Sequence, residues 1–345
     1  MGVGRIYDVI RCPYKYGPIS NSSLTGTKME DYPLIRELKS PVAGEQLRPL
    51  DARCRVVQFS GPLSNSDLKR VAEFMHDYPN VTFRVYGHYS EGCDLEFLKY
   101  FGFLRRFQVD VFDLKSFSGI EYLSSNLEYL GIGQTREKRH SLRFLERFSS
   151  LRELSIEGHA KDIDVISQLV TLEALTLRSI TLPDLTILKP LGRLLSFDLK
   201  LGGTKDLRLL PEIGKLRSLE VWMVKGLRDL TVIPDIHTLQ YLFLQALKQV
   251  SELPSFRELH SLHRVDLETM KGLTDLRTVA DAPALEDLLI LDMPHLKPDA
   301  LRPFVGHPTL KRATVGLGSI RKNEAVKGLL RLADVGAIKG GFEFT

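Results

Sequence analysis

An apolar residue followed at +3 and +5 by two more recurs ten times between residues 104 and 315. The blocks are Leu104/Phe107/Val109, Leu127/Leu130/Ile132, Leu151/Leu154/Ile156, Leu172/Leu175/Leu177, Leu194/Phe197/Leu199, Leu219/Trp222/Val224, Leu239/Leu242/Leu244, Leu262/Val265/Leu267, Leu285/Leu288/Ile290 and Leu310/Ala313/Val315. Their first positions are 23, 24, 21, 22, 25, 20, 23, 23 and 25 residues apart, a mean of (310 − 104)/9, or roughly 23. So even a spacing calls for one structural unit per repeat. In a strand, alternate side chains face opposite ways, so positions +3 and +5 point into a core while +2, +4 and +6 point out. A single such strand cannot bury its apolar edge, whereas stacked copies share a continuous core and pair their backbones in a parallel sheet.

Between the blocks, apolar residues return about every third position, as in Leu227, Leu230, Ile233, Ile236 and in Leu247, Val250, Leu253, Phe256, Leu259. Three per turn suits 3-10 turns. Pro183, Pro190, Pro211, Pro234, Pro254, Pro283, Pro303 and Pro308 would each damage a helix interior. The expected architecture is an α/β solenoid: an arc with a parallel concave sheet and a thin convex side of 3-10 turns and short helices. Its ends differ from its middle, as solenoid caps must. Ser66 is a candidate N-cap for a helix carrying Leu68, Val71, Ala72 and Met75, with strands expected near Val57/Phe59 and Phe83/Val85. A second helix is expected from about Asn323 to Leu332, followed by a closing strand through Phe342 and Phe344. The expected organisation is an unplaced segment over 1–50, an N-terminal cap of degenerate repeats over 51–103, the repeat array over 104–318 and a C-terminal cap over 319–345.

At these blocks, across roughly residues 80–318, the chain resembles the leucine-rich-repeat superfamily. The resemblance implies a curved scaffold for binding. In that family the position eight beyond the first leucine is usually asparagine or cysteine; here it is Phe112, Thr135, His159, Ile180, Gly202, Leu227, Leu247, Met270, Met293 and Gly318. The missing polar ladder sets the chain apart from the strict internalin and ribonuclease-inhibitor types. The Leu210-Pro211, Ile233-Pro234 and Leu253-Pro254 steps look more like the irregular repeats of bacterial effectors and plant immune receptors.

Charge and motifs narrow the function. Lys and Arg exceed Asp and Glu by 47 to 43, so the net charge of +4 provides no strong field to demand a nucleic acid or a membrane. No apolar run suits a signal peptide or a membrane span, and Cys12, Cys54 and Cys93 form no close pair, which together suggest a cytoplasmic protein or one delivered without an N-terminal signal. The sequons at Asn21 and Asn80 are then idle. Phosphate-loop, dinucleotide, zinc-protease and nucleophile-elbow motifs are absent, so the chain is expected not to be an enzyme and to need no cofactor or metal. His88, Glu91 and Cys93 form the only cluster that could be drawn as a nucleophile with a base, and the His260/His263 pair lacks a third ligand.

A protein partner on the concave sheet is therefore the leading expectation. The sixth and seventh blocks offer Val221, Met223 and Lys225 beside Tyr241, Phe243 and Gln245, four large apolar groups side by side. Arg264 and Asp266 would form part of a polar rim, and Leu289 and Leu291 a second apolar pair. The competing expectation is that these side chains simply pack on one another. Two further alternatives are nucleic-acid binding, motivated by Arg136-Glu137-Lys138-Arg139, and an enzyme using the loop around His88 and Cys93.

Overall fold

The computed structural model describes residues 34–90 and 92–335, so Glu91 and the proposed closing strand at Phe342 and Phe344 lie outside the described residues. The chain divides into two compact units, the first ending at His140 and the second beginning at Ser141. The first carries strands β1 (Leu34–Leu38), β2 (Cys54–Phe59), β3 (Thr82–Gly87), β4 (Arg106–Val111) and β5 (Tyr129–Ile132), with helix α1 (Asn65–Met75) between β2 and β3. The second carries β6 (Glu153–Glu157), β7 (Ala174–Arg178), β8 (Ser196–Lys200), β9 (Ser218–Trp222), β10 (Tyr241–Gln245), β11 (Arg264–Glu268), β12 (Asp287–Leu291) and β13 (Arg312–Val315), the single turn α2 (Arg277–Ala280) and helix α3 (Ile320–Leu330). Within each unit the strands pair parallel and in chain order, and 3-10 turns such as Ile163–Gln168, Leu210–Glu212 and Ile233–Asp235 return the chain between them. Among the described residues each unit therefore has the alternation of parallel strand and turn expected of a leucine-rich-repeat stack, with five strands in the first unit and eight in the second.

The register confirms nine of the ten blocks and corrects the sixth. Leu219 pairs with Leu242 and Val221 with Leu244, so Val221 occupies a core position and is 0% exposed, while Trp222 stands on the opposite face. The true first position is Leu216, buried three residues earlier. Two leucines three apart both satisfy the local pattern, but Leu216 turns the uneven steps of 25 and 20 into 22 (216 − 194) and 23 (239 − 216). Helix α1 buries Leu68, Val71, Ala72 and Met75 as expected, but its cap is Ser64, which accepts the Asp67 N–H at 3.1 Å, rather than Ser66. Helix α3 starts at Ile320, three residues earlier than expected, because Ser319 caps it by accepting the Lys322 N–H.

The absent asparagine ladder is replaced by two others. The residue after each strand from β6 to β12 takes a left-handed conformation: Gly158, Ser179, Leu201, Met223, Ala246, Thr269 and Asp292 have φ between +51° and +77°. From Gly158 through Thr269, each N–H donates to the last carbonyl of the next strand at 2.7–3.0 Å, which keeps the turns in register without a side chain. Further on, Asp184, Asp206, Asp229 and Asp275 each accept the backbone N–H two residues ahead and open the return segment with a side-chain-closed turn. Hydrogen bonds from the Arg208 side chain and backbone hold the Asp206 carboxyl down at about 2. Its turn thus contributes stability that is present above the ordinary value of 3.8 and is lost as pH falls through about 2. A left-handed conformation penalises any residue with a Cβ. Ser179→Gly, at an exposed position, should therefore raise unfolding stability by about 0.5–1 kcal/mol, read as the urea midpoint; an unchanged or lower midpoint would discount strain at this position.

Candidate partner-binding face

The three side-chain rows on the sheet face turned away from the core differ in exposure. The row nearest the strand starts in the second unit, Glu153, Ala174, Ser196, Ser218, Tyr241, Arg264 and Asp287, is buried throughout β6–β12. The middle row, Ser155, Thr176, Asp198, Glu220, Phe243, Asp266 and Leu289, is half-buried except at Phe243 and Asp266, which are buried. The row at the strand ends, Glu157, Arg178, Lys200, Trp222, Gln245, Glu268 and Leu291, is half-buried at every position. Just beyond it Met223 reaches 45% exposure. Accessibility is lost along the row at the strand starts and at Phe243 and Asp266, and is greatest just past the strand ends, at Met223.

This gradient overturns much of the expected patch. Tyr241 and Phe243 do stand on the outward face, beside Ser218 and Glu220 respectively rather than Val221, but they are only 2% and 3% exposed. Parallel strands lie only ~4.8 Å apart, so large side chains on one face wall each other in. The Tyr241 hydroxyl donates to Asp266 Oδ2 at 3.1 Å, and Arg264 grips the same carboxylate through Nε at 2.8 Å and Nη2 at 3.1 Å. Arg264 and Asp266, expected at a solvated rim, are thus buried with Tyr241 in one network. Of the predicted residues, Met223 and Lys225 are exposed and Gln245, Leu289 and Leu291 half-buried. The residues missed by the shifted sixth block are Glu220 and Trp222, which a more even spacing would have found.

Charges on the face are held by one another. Lys200 lies 2.6 Å from Asp198 and 2.9 Å from Glu220. Burial works to lower its pKa, but the two carboxylates outweigh burial and raise it. Arg178 pairs with Glu157 at 2.9 Å and sets its guanidinium 5.0 Å from the Trp222 ring centre. In the first unit, Arg84 reaches Asp110 and Gln58, and Tyr86 and Gln58 both donate to Glu37.

In the candidate catalytic loop, His88 and Cys93 have separate side-chain partners. His88 is 77% exposed and faces Asp113 at 3.3 Å, whereas the Cys93 thiol is buried and donates to the Asp94 carbonyl at 3.1 Å. Burial pushes that thiol up to about 12, the reverse of what a nucleophile needs. His260 is exposed and His263 faces the Ala284 carbonyl. No helix among the described residues is long and apolar enough to cross a membrane.

No protein-family model matches the sequence, and comparison with curated proteins finds no match. Solved structures do match. An internalin (inlF) from Listeria monocytogenes aligns over 74% of this chain and 77% of its own, at 17% identity and a TM-score of 0.51. A leucine-rich-repeat protein of Leptospira interrogans aligns over 82% of this chain and 78% of its own, at 15% identity and the same TM-score of 0.51. At such identities the likeness is one of fold.

Proposed function

We propose that this chain is a non-catalytic scaffold that holds a protein partner along the C-terminal rim of the second unit's sheet. The observation that carries this is the pattern of exposure: the face closes over Tyr241 and Phe243, while its large apolar side chains that keep some exposure, Trp222, Met223, Leu289 and Leu291, stand at or next to the strand ends. Trp and Met are residue types enriched in interface cores, and here they have polar neighbours that can set register. The face also carries seven carboxylates (Glu153, Glu157, Asp198, Glu220, Asp266, Glu268, Asp287) against four cations (Arg178, Lys200, Arg264, Arg312), a balance of 4 − 7 = −3 within a chain of net +4. A nucleic acid crossing these strands would meet like charge, which favours protein over the nucleic-acid alternative. The buried, hard-to-ionise Cys93 and the Asp113-bound His88 favour a scaffold over an enzyme.

The test is affinity capture from native lysate, identification of the captured protein, and titration of that purified protein against wild type and a folded Met223→Glu/Leu291→Glu variant. A carboxylate forced into an apolar contact should weaken binding at least about tenfold, or ~1.4 kcal/mol. Equal affinity for the two chains would place the partner elsewhere.

A further inference from the structure

Beyond the rim, one turn position repeats a single residue type in three successive repeats. Trp222, Gln245 and Glu268 are register partners across β9, β10 and β11, and Met223, Ala246 and Thr269 follow them in matched left-handed conformations with φ of +52°, +51° and +54°. Two residues later stand Lys225, Lys248 and Lys271, all exposed. The shared backbone path puts them about one strand spacing apart, ~4.8 Å per step. Lys205 joins from the preceding repeat, because Gly226 leaves room for it: a Cβ there would lie 2.7 Å from the Lys205 Cε, and its φ of +84° suits glycine. Several other cations of this unit have carboxylate partners, such as Arg152 with Glu173, Lys189 with Glu212, Arg302 with Asp299 and Lys311 with Glu286, while scattered ones such as Lys215 and Lys297 have none among the described residues, so it is the alignment in a row that sets these lysines apart. Among the described residues, none of these four lysines is paired.

We infer that the row formed by Lys225, Lys248 and Lys271, extended by Lys205, docks an acidic, extended segment of a protein partner that runs across the repeats. The inference rests on the rim being a protein-binding site and adds the chemistry of what lies beside it. A protein can place carboxylates over the turns and keep them clear of the acidic sheet face, whereas a nucleic acid is anionic along its whole length. One face of the chain's single tryptophan ring, that of Trp222, is occupied by Arg178, which leaves a poor platform for stacking bases.

The probe is a fluorescein-labelled peptide of alternating glutamate and serine, about twelve residues long and so able to span four repeats at ~4.8 Å each, titrated by anisotropy against the full chain. Wild type should bind it with an affinity that falls as salt is added. Lys225→Gln/Lys248→Gln/Lys271→Gln should weaken binding about tenfold. The charge-matched control Lys189→Gln/Arg302→Gln/Lys311→Gln, which removes only paired cations, should bind as wild type does. The inference is overturned if the peptide does not bind, if the two triple variants bind alike, or if an oligothymidylate of equal charge binds as tightly as the peptide. Loss of the captured partner in the Met223→Glu/Leu291→Glu variant alongside any of these failures would leave the rim standing and remove only the lysine row.

Discussion

Asp266→Ala should lower unfolding stability by about 3–5 kcal/mol, read by urea denaturation of the whole chain. Asp266 is 3% exposed and serves two partners, the Arg264 guanidinium and the Tyr241 hydroxyl. Removing it takes from a buried cation the carboxylate that grips it at two points, and leaving a buried charge short of its partner costs far more than the intact pair contributes. Replacing the network as a set separates the two effects. Arg264→Leu/Asp266→Leu/Tyr241→Phe removes charge and hydroxyl together and should recover most of the loss, because an apolar cluster of similar volume is often as stable as the pair it replaces. A stable Asp266→Ala chain that had lost its partner would instead return Asp266 to the interface. The expected pattern, instability in the single variant and recovery in the triple, makes this network a support beneath the rim.

The sequence and the structure part company where side chains rather than spacing decide the outcome. Period and strand alternation are backbone properties, and they located the strands β4 to β13 and the 3-10 character of the returns. The shifted sixth block came from Leu216 and Leu219, which satisfy the same local pattern, so only the spacing of neighbouring repeats could choose between them. Exposure on the outward face was not legible, because it depends on how neighbouring side chains crowd together: Phe243 occupies a position indistinguishable by pattern from half-buried Thr176 and Glu220. The left-handed residues were equally hidden. Ser179, Leu201, Met223, Ala246 and Thr269 are not the residues that announce positive φ, and their conformation follows from the N–H that each must deliver to the next strand. The lysine row could have been read directly once the repeats were aligned from Leu216, since Lys225, Lys248 and Lys271 then share one offset.

The same alignment explains why Gly202 cannot be exchanged. It occupies the position where the flanking repeats place Ile180 and Val224, both buried. A Cβ at Gly202 would fall well inside the van der Waals envelope of the Ile180 carbonyl oxygen, a backbone atom that cannot swing aside. Nearby bonds fix both chains: the Lys225 N–H donates to the Gly202 carbonyl at 2.8 Å, the Gly203 N–H to Thr181 Oγ1 at 2.9 Å, and the Leu182 N–H to buried Thr204 Oγ1 at 2.9 Å. Relieving the overlap means separating these turns, so Gly202→Ala should cost on the order of 3 kcal/mol. Gly192→Ala supplies the contrast in the same unit, since nothing lies within 4 Å of a Cβ there, and its effect should stay within about 0.5 kcal/mol of zero. Equal midpoints for the two variants would mean that the turns can separate freely, and the backbone ladder would then be too soft to hold Met223 and Lys225 in the matched positions on which both the rim and the lysine row depend.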